Sequence, residues 1–337
     1  MQTVRNRVAD ILGIDLPIVQ APMNYIAGHA LAAAVSAAGG MGVLGPNAGK
    51  VQGEEISMRE RTLREFARIR EVTDKPVGIN VVVPDGENKA ALMYARSTVE
   101  AAAEGGATAA FCVGGLQPTI FELIKEKGMK LIVRPLTPTV KNAREAQAMG
   151  ADIFVATGYD AGGFLPSHHT GTFSIVPTIV DAVTIPVLAA GGINDLRGVR
   201  AAFALGAEGV YVGTRFIATN ECAANDHAKE LICKLSGSNL LYVDETQRSL
   251  PTELAAEAYV KHRLAPTVTT VDLVGALRTG MYDGEPDKGI VTVNTGIDVI
   301  RSVVPAGQVV SELMADFLRY ADFLKAKASA EEATPKA

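Results

Sequence analysis

Two glycine turns lie one strand apart in this chain: Ile185-Pro-Val-Leu-Ala-Ala-Gly-Gly-Ile-Asn194 and Leu205-Gly-Ala-Glu-Gly-Val-Tyr-Val-Gly-Thr-Arg215. In each, a short apolar run rich in β-branched residues ends at glycine before a helix-like segment, the handover from a buried parallel strand to its helix. Glycine lets backbone N–H groups come close to a ligand, so Ala190, Gly191 and Gly192, with Gly213 and Thr214 one strand later, could cradle a phosphate without any lysine. Close strand-to-helix packing alone is the competing explanation of both turns. Acid–base chemistry would come from the loop Thr157–Gly171, which carries Asp160, Gly162, Gly163, His168 and His169. Neutral imidazole suits proton transfer near pH 7, and Asp160 is a rival that could equally be a turn residue bonding its own backbone. A His-His metal site is unsupported, because adjacent histidines point apart and no cysteine or carboxylate trio completes a shell.

These residues need elements to hold them, and the chain supplies a regular alternation. Strand-like runs are expected at Leu16–Ala21, Gly40–Leu44, Lys75–Val83, Ala109–Val113, Lys130–Val133 and Asp152–Ala156, followed by the two strands that end in the glycine turns. Between them lie helix patterns at Gly28–Ala38, Ser57–Glu71, Lys89–Glu104, Pro118–Lys127, Thr139–Met149 and Phe173–Val183, with Glu221–Leu235 after the last strand. Gly-Ala-x recurs before strands at Gly106, Gly150 and Gly206, the trace that stacked βα units leave. Eight such units predict an α/β protein with a (β/α)8 TIM barrel. A doubly wound open sheet alternates in the same way, but its Gly-x-Gly-x-x-Gly after the first strand is missing. Barrel enzymes collect reactive groups at the C-terminal ends of strands, which selects Ala21–Asn24, Asn80, Arg134, the loop from Thr157, and the two glycine turns.

The barrel is expected over 1–235. Residues 236–289 read as an inserted cap or substrate segment with a helical patch at Glu253–His262, 290–325 as a return to the barrel with an amphipathic stretch at Gln308–Leu324, and 326–337 as a flexible tail.

At 337 residues, 48% of them hydrophobic, the chain is long enough for one large core. A net charge of −5 offers no basic field for nucleic acid. Met1–Asp10 is charged where a signal peptide needs an apolar core, and no apolar run is long enough to span a bilayer, so a cytoplasmic protein with a small-molecule substrate, no nucleic acid and no membrane partner is expected. Self-association as a homodimer is left open. Three cysteines without Cys-x-x-Cys spacing argue against a disulfide framework or zinc, and Cys112, inside the apolar run 109–113, reads as an inert buried thiol.

Ala190-Gly-Gly-Ile193, Leu205–Phe216, the opening Pro17-Ile-Val-Gln-Ala-Pro-Met23, Gly78-Ile-Asn80, Ala161-Gly-Gly163 and Asp283–Ile290 together resemble the nitronate monooxygenases, a group that includes flavin-dependent enoyl-acyl carrier protein reductases and NADH:quinone reductases. The resemblance covers about Ile14 to Phe317. It implies a bound FMN, with the phosphate on Gly191, Gly192, Gly213 and Thr214, the ring near Ala21, Pro22 and Met23, and Asn80 bonding the ring or ribityl chain. The implied activity is an FMN-dependent oxidoreductase that oxidises a small carbon acid or nitronate. NAD(P)H-dependent reduction of enoyl thioesters or quinones, with NADH or NADPH as electron donor, is the alternative. A phosphate-ligand or flavin-binding barrel without turnover is a reading of another class.

Three positions depart from the family pattern. The histidine that follows Ala-Gly-Gly in many relatives is Phe164 here, the fifth-strand lysine is Arg134, and the acidic residue ending the sixth strand is Thr157. Arg134 keeps positive charge for the flavin or its phosphate, though its planar fork differs from an ammonium. A longer loop could swing His168 or His169 toward the flavin in place of the missing histidine.

Overall fold

A computed structural model describes residues 6–51, 53–265 and 273–322. The first half alternates helix and strand: α1 (Arg7–Leu12), β1 (Ile18–Gln20), α2 (His29–Ala37), β2 (Gly42–Leu44), α3 (Met58–Arg70), β3 (Val77–Val83), α4 (Lys89–Glu104), β4 (Ala109–Gly114) and α5 (Pro118–Glu126). The alternation continues through β5 (Lys130–Arg134), α6 (Val140–Ala148), β6 (Ile153–Thr157), α7 (Thr172–Val180), β7 (Val187–Ala190), α8 (Leu196–Ala204) and β8 (Gly209–Val212). Then come α9 (Thr214–Ile217), α10 (Asp226–Lys234), the hairpin of β9 (Leu241–Tyr242) and β10 (Arg248–Ser249), α11 (Glu253–Leu264), α12 (Leu273–Met281) and α13 (Ala306–Leu313).

The eight strands β1 to β8 form one parallel sheet in the order β1-β8-β7-β6-β5-β4-β3-β2. A parallel bridge between Val19 and Met41 closes it, with Gln20 N donating to Met41 O and Met41 N to Ile18 O, both at 2.9 Å. This is the (β/α)8 barrel that the alternation predicts. The strands are buried on both faces, which is why they read as continuous apolar runs rather than alternating ones. Pro17 has no N–H for the ladder and β1 shortens to three residues.

Inside the barrel Val19, Met41, Val43, Phe111, Ile132, Ile153, Val155 and Leu188 pack in one cluster with Val8 and Leu12 of α1. Gly78 makes room for it, since a Cβ there would lie 2.6 Å from the Phe111 ring. A second, larger cluster fills the layer between strands and outer helices.

Local caps fix where the helices start. Ser57 with Glu60, and Thr139 with Asn142, form reciprocal capping boxes, while Asp195 accepts from Arg197 N and Gly198 N. The helix after β8 was expected from Glu221, but Asn225 caps Ala228 N and α10 begins only at Asp226. The amphipathic stretch expected at Gln308–Leu324 contains α13 and a second helical run over 315–322; its last two residues, and the tail at 326–337, lie outside the described residues. Among the described residues no helix is long and apolar enough to cross a membrane.

Candidate active site

A cavity of about 920 Å³ opens at the C-terminal ends of the strands. Its wall contains Ala21, Pro22 and Met23 after β1, Asn80 on β3, Arg134 at the end of β5, Gly162 and Gly163 after β6, Ala190, Gly191 and Gly192 after β7, and Gly213 and Thr214 after β8. Every cofactor-contact residue expected from the sequence thus lies around one space. That volume is near the top of the ~300–1,000 Å³ usual for ligand pockets, enough for a cofactor and a substrate together.

The two glycine turns differ in what they tolerate. Gly191 has φ +109°, and a Cβ on it would lie 2.7 Å from Thr172 Oγ1, which itself donates to Gly191 O at 3.0 Å. Gly192 has φ +73°, again a conformation that favours glycine. Gly213 has φ −107°, and a Cβ there would meet only the Ala21 methyl at 3.6 Å, so the space before it is open toward the cavity. Behind it Thr214 opens the short helix α9. Loops after strands seven and eight with a short extra helix form the usual phosphate site of this architecture.

The polar groups of the wall fit a flavin as well. The Arg134 guanidinium has no hydrogen bond or ion pair with any described residue, and burial pushes it below its ordinary value while the nearby Tyr211 phenol opposes that shift. Tyr211 faces the same space from β8, its own ionisation pushed up by burial. Thr157 ends β6 in the wall with a buried Oγ1 that lacks a partner. Asn80 Nδ2 donates to Phe111 O at 3.0 Å, which fixes the amide at the wall. Donors without partners in the cavity wall match the carbonyl and ring-nitrogen acceptors of a flavin pyrimidine, and the glycine turns would suit its phosphate. Tyr211 carries no motif signal of its own in the sequence, and only strand alternation puts it on the same face as Gly209 and Gly213.

His168 and His169 are exposed and line no part of the cavity. His169 has φ +47° and its ring lies 4.4 Å from that of Tyr159, whose phenol is pushed up to about 12 by burial and by its bond with Tyr242. Phe164, by contrast, stands in the wall and is 42% exposed there. Asp160 accepts from Thr172 N at 2.6 Å and anchors the start of α7. Cys112 is buried in β4 with its thiol pushed up by desolvation, consistent with an inert role. No group of three or more potential metal ligands occurs among the described residues.

Comparison with known proteins agrees with this geometry. The nitronate monooxygenase family model matches residues 5–316. The chain is 35% identical over 238 residues to (3aS,4S,5R,7aS)-5-hydroxy-7a-methyl-1-oxo-octahydro-1H-indene-4-carboxyl-CoA dehydrogenase of Mycobacterium tuberculosis, a match that covers 67% of this chain and only 59% of that protein's length. A probable nitronate monooxygenase of Staphylococcus aureus is 32% identical over 265 residues, covering 68% of this chain and 72% of its own. The solved structure of FabK from Thermotoga maritima superposes with a TM-score of 0.81 at 30% identity, covering 96% of this chain and all of that one. On the family match across nearly its whole described length, the chain belongs to the nitronate monooxygenase family.

Proposed function

We propose that this member of a flavin-dependent oxidoreductase family holds FMN and oxidises a small carbon acid that arrives already ionised, a nitronate. The observation that carries the reading is the cavity wall, where the Arg134 guanidinium has no partner among the described residues, Phe164 fills the place after Ala-Gly-Gly, and none of the described histidines lines the space. A neutral carbon acid needs a protein base to lose its proton, whereas a nitronate has lost it in solution and needs only a site that favours an anion.

Gly191, Gly192, Gly213 and Thr214 would hold the phosphate, and Ala190, Gly162 and Gly163 would let backbone close around the cofactor. Ala21, Pro22 and Met23 would flank the ring, with Asn80 and Arg134 supplying its hydrogen bonds and the positive charge. The bound flavin would accept electrons from the substrate and pass them to oxygen. Arg134 favours negative charge beside it, on substrate or ring, and Val82, Val113, Ile193 and Phe164 give the wall an apolar side. A proton-transfer role for His168 or His169 would require the 158–171 loop to turn inward.

A second reading, NAD(P)H-dependent reduction of an enoyl thioester, draws on the cavity's size and apolar mouth at Val82, Tyr94 and Phe164 and on the likeness to a carboxyl-CoA dehydrogenase. An absorbance spectrum of the purified protein, followed by anaerobic addition of a nitronate, NADH and NADPH in turn, separates the readings. Bleaching of a flavin band by the nitronate alone supports the first, and bleaching by a nicotinamide replaces it with the second. If no flavin band appears even after reconstitution with FMN, the redox assignment fails and a phosphate-ligand barrel without turnover remains.

A further inference from the structure

Residues 292–296 return to the barrel mouth and are tied to three of the loops around the cavity. After β6, Asp160 O accepts from Thr295 N at 3.1 Å, and a Cβ on Gly162 would lie 2.6 Å from the Val293 carbonyl carbon. After β7, Asn194 and Asn294 exchange amide hydrogen bonds in both directions, each at 2.8 Å, and Asn194 Nδ2 also donates to Gly296 O at 2.7 Å. After β8, Thr214 Oγ1 accepts from Asn294 N at 3.0 Å. Asn294 Oδ1 further accepts from Gly296 N at 2.9 Å, which locks its rotamer, and both asparagines are buried.

One residue therefore grips both halves of the phosphate cradle, the β7 turn through its side chain and the β8 turn through its backbone. Its N–H also sets the direction of the Thr214 hydroxyl. An oxygen that accepts from Asn294 N turns its own proton elsewhere, and Thr214 lines the cavity, so that proton is available to a ligand oxygen. We propose that Asn294, paired with Asn194, is the positioning residue that sets the spacing of the two glycine turns, so that cofactor affinity is controlled from the C-terminal segment. The inference rests on the FMN reading of the cradle.

The test is the FMN dissociation constant of full-length Asn294→Ala and Asn294→Asp from pH 5 to 8, each divided by the wild-type value at the same pH so that ionisation of the flavin phosphate cancels. Asn294→Ala is expected to bind at least about tenfold more weakly at every pH, about 1.4 kcal/mol. Asn294→Asp keeps the acceptor for Asn194 Nδ2 and Gly296 N but presents an oxygen to Asn194 Oδ1. Its protonated carboxyl can donate there again. Burial and the facing Asn194 oxygen favour the protonated form and outweigh the two N–H donors on the other oxygen, which favour the carboxylate, so the defect is full above the carboxyl's pKa and fades as pH falls below it. A role confined to general stability would give both variants the same flat ratio, and that result, or wild-type affinity in both, overturns the inference. Should the alanine variant fail to fold, the pH profile of Asn294→Asp decides alone. If the wild-type protein itself binds no FMN, the functional reading fails and this inference falls with it, an outcome distinct from a wild type that binds and variants that bind equally well.

Discussion

At its N-terminal end the barrel is filled by apolar packing: Val8 and Leu12 of α1 pack against Val19, Met41 and Ile153, all of them buried. At its C-terminal end the same strands open into a cavity ringed by glycine turns, by Arg134 and by the Thr157 hydroxyl, whose side-chain polar groups have no partner among the described residues. The two ends thus divide the labour. Apolar packing stabilises the fold, while a buried hydroxyl or guanidinium without a partner costs stability that a ligand in the cavity would recover.

The largest expected effect separates the ends most sharply. Gly213→Val keeps a negative φ and its Cβ meets only the Ala21 methyl at 3.6 Å, while its γ-methyls extend into the space before the β8 turn. FMN affinity should fall by at least about 100-fold, about 2.7 kcal/mol, with the melting temperature of the cofactor-free protein nearly unchanged. Full flavin occupancy in this variant would remove the cradle from the argument. Gly191→Val is a poorer probe, because φ +109° and the Thr172 hydroxyl at 2.7 Å make it lose backbone structure as well as ligand.

The opposite end should show the mirror image. Leu12→Ala opens a hole in the plug and should cost about 2–5 kcal/mol of stability by chemical denaturation, with FMN affinity at saturating fold unchanged. A loss of affinity that tracks the loss of stability would mean that the two ends are coupled.

The two ends were also unequally legible in the sequence. Gly191, Gly192 and Gly213 stand out because strand, turn and helix are consecutive, so the phosphate cradle is a local pattern, and eight repeats of that pattern give the barrel. The plug is not visible in the same way. Val8 and Leu12 share a face only once Arg7–Leu12 is helical, and six residues in a charged stretch carry too little periodicity to show it. The pairing of Asn194 with Asn294 joins loops 100 residues apart, and Thr157 becomes notable only when its buried hydroxyl proves to have no partner. The β9–β10 hairpin, with two residues in each strand, leaves no alternation to read.

Charge at the open end gives an intermediate effect. Arg134→Met keeps most of the side chain's bulk and removes its cation. With flavin bound, anaerobic bleaching by a nitronate should slow by about tenfold or more, in line with the ~1.5–3 kcal/mol of a hydrogen bond to a charged group. Equal bleaching rates would show that the anion is held elsewhere in the wall.

The smallest effect is expected just beyond the rim, at the two histidines. His169 is held by its ring contact with Tyr159 at 4.4 Å, and its left-handed backbone is tolerated because that contact and the turn at 166–169 fix the loop. His168 contributes its carbonyl to Thr170 Oγ1, a bond that alanine preserves. Placed as they are, His168→Ala and His169→Ala should each leave flavin reduction and its pH dependence unchanged, and should shift stability by no more than about 1 kcal/mol. A lost limb in the pH profile of either variant would mean instead that the 158–171 loop turns inward during turnover. The boundary between the dry scaffold and the reactive mouth would then extend past Phe164 to include a histidine that the resting structure keeps outside.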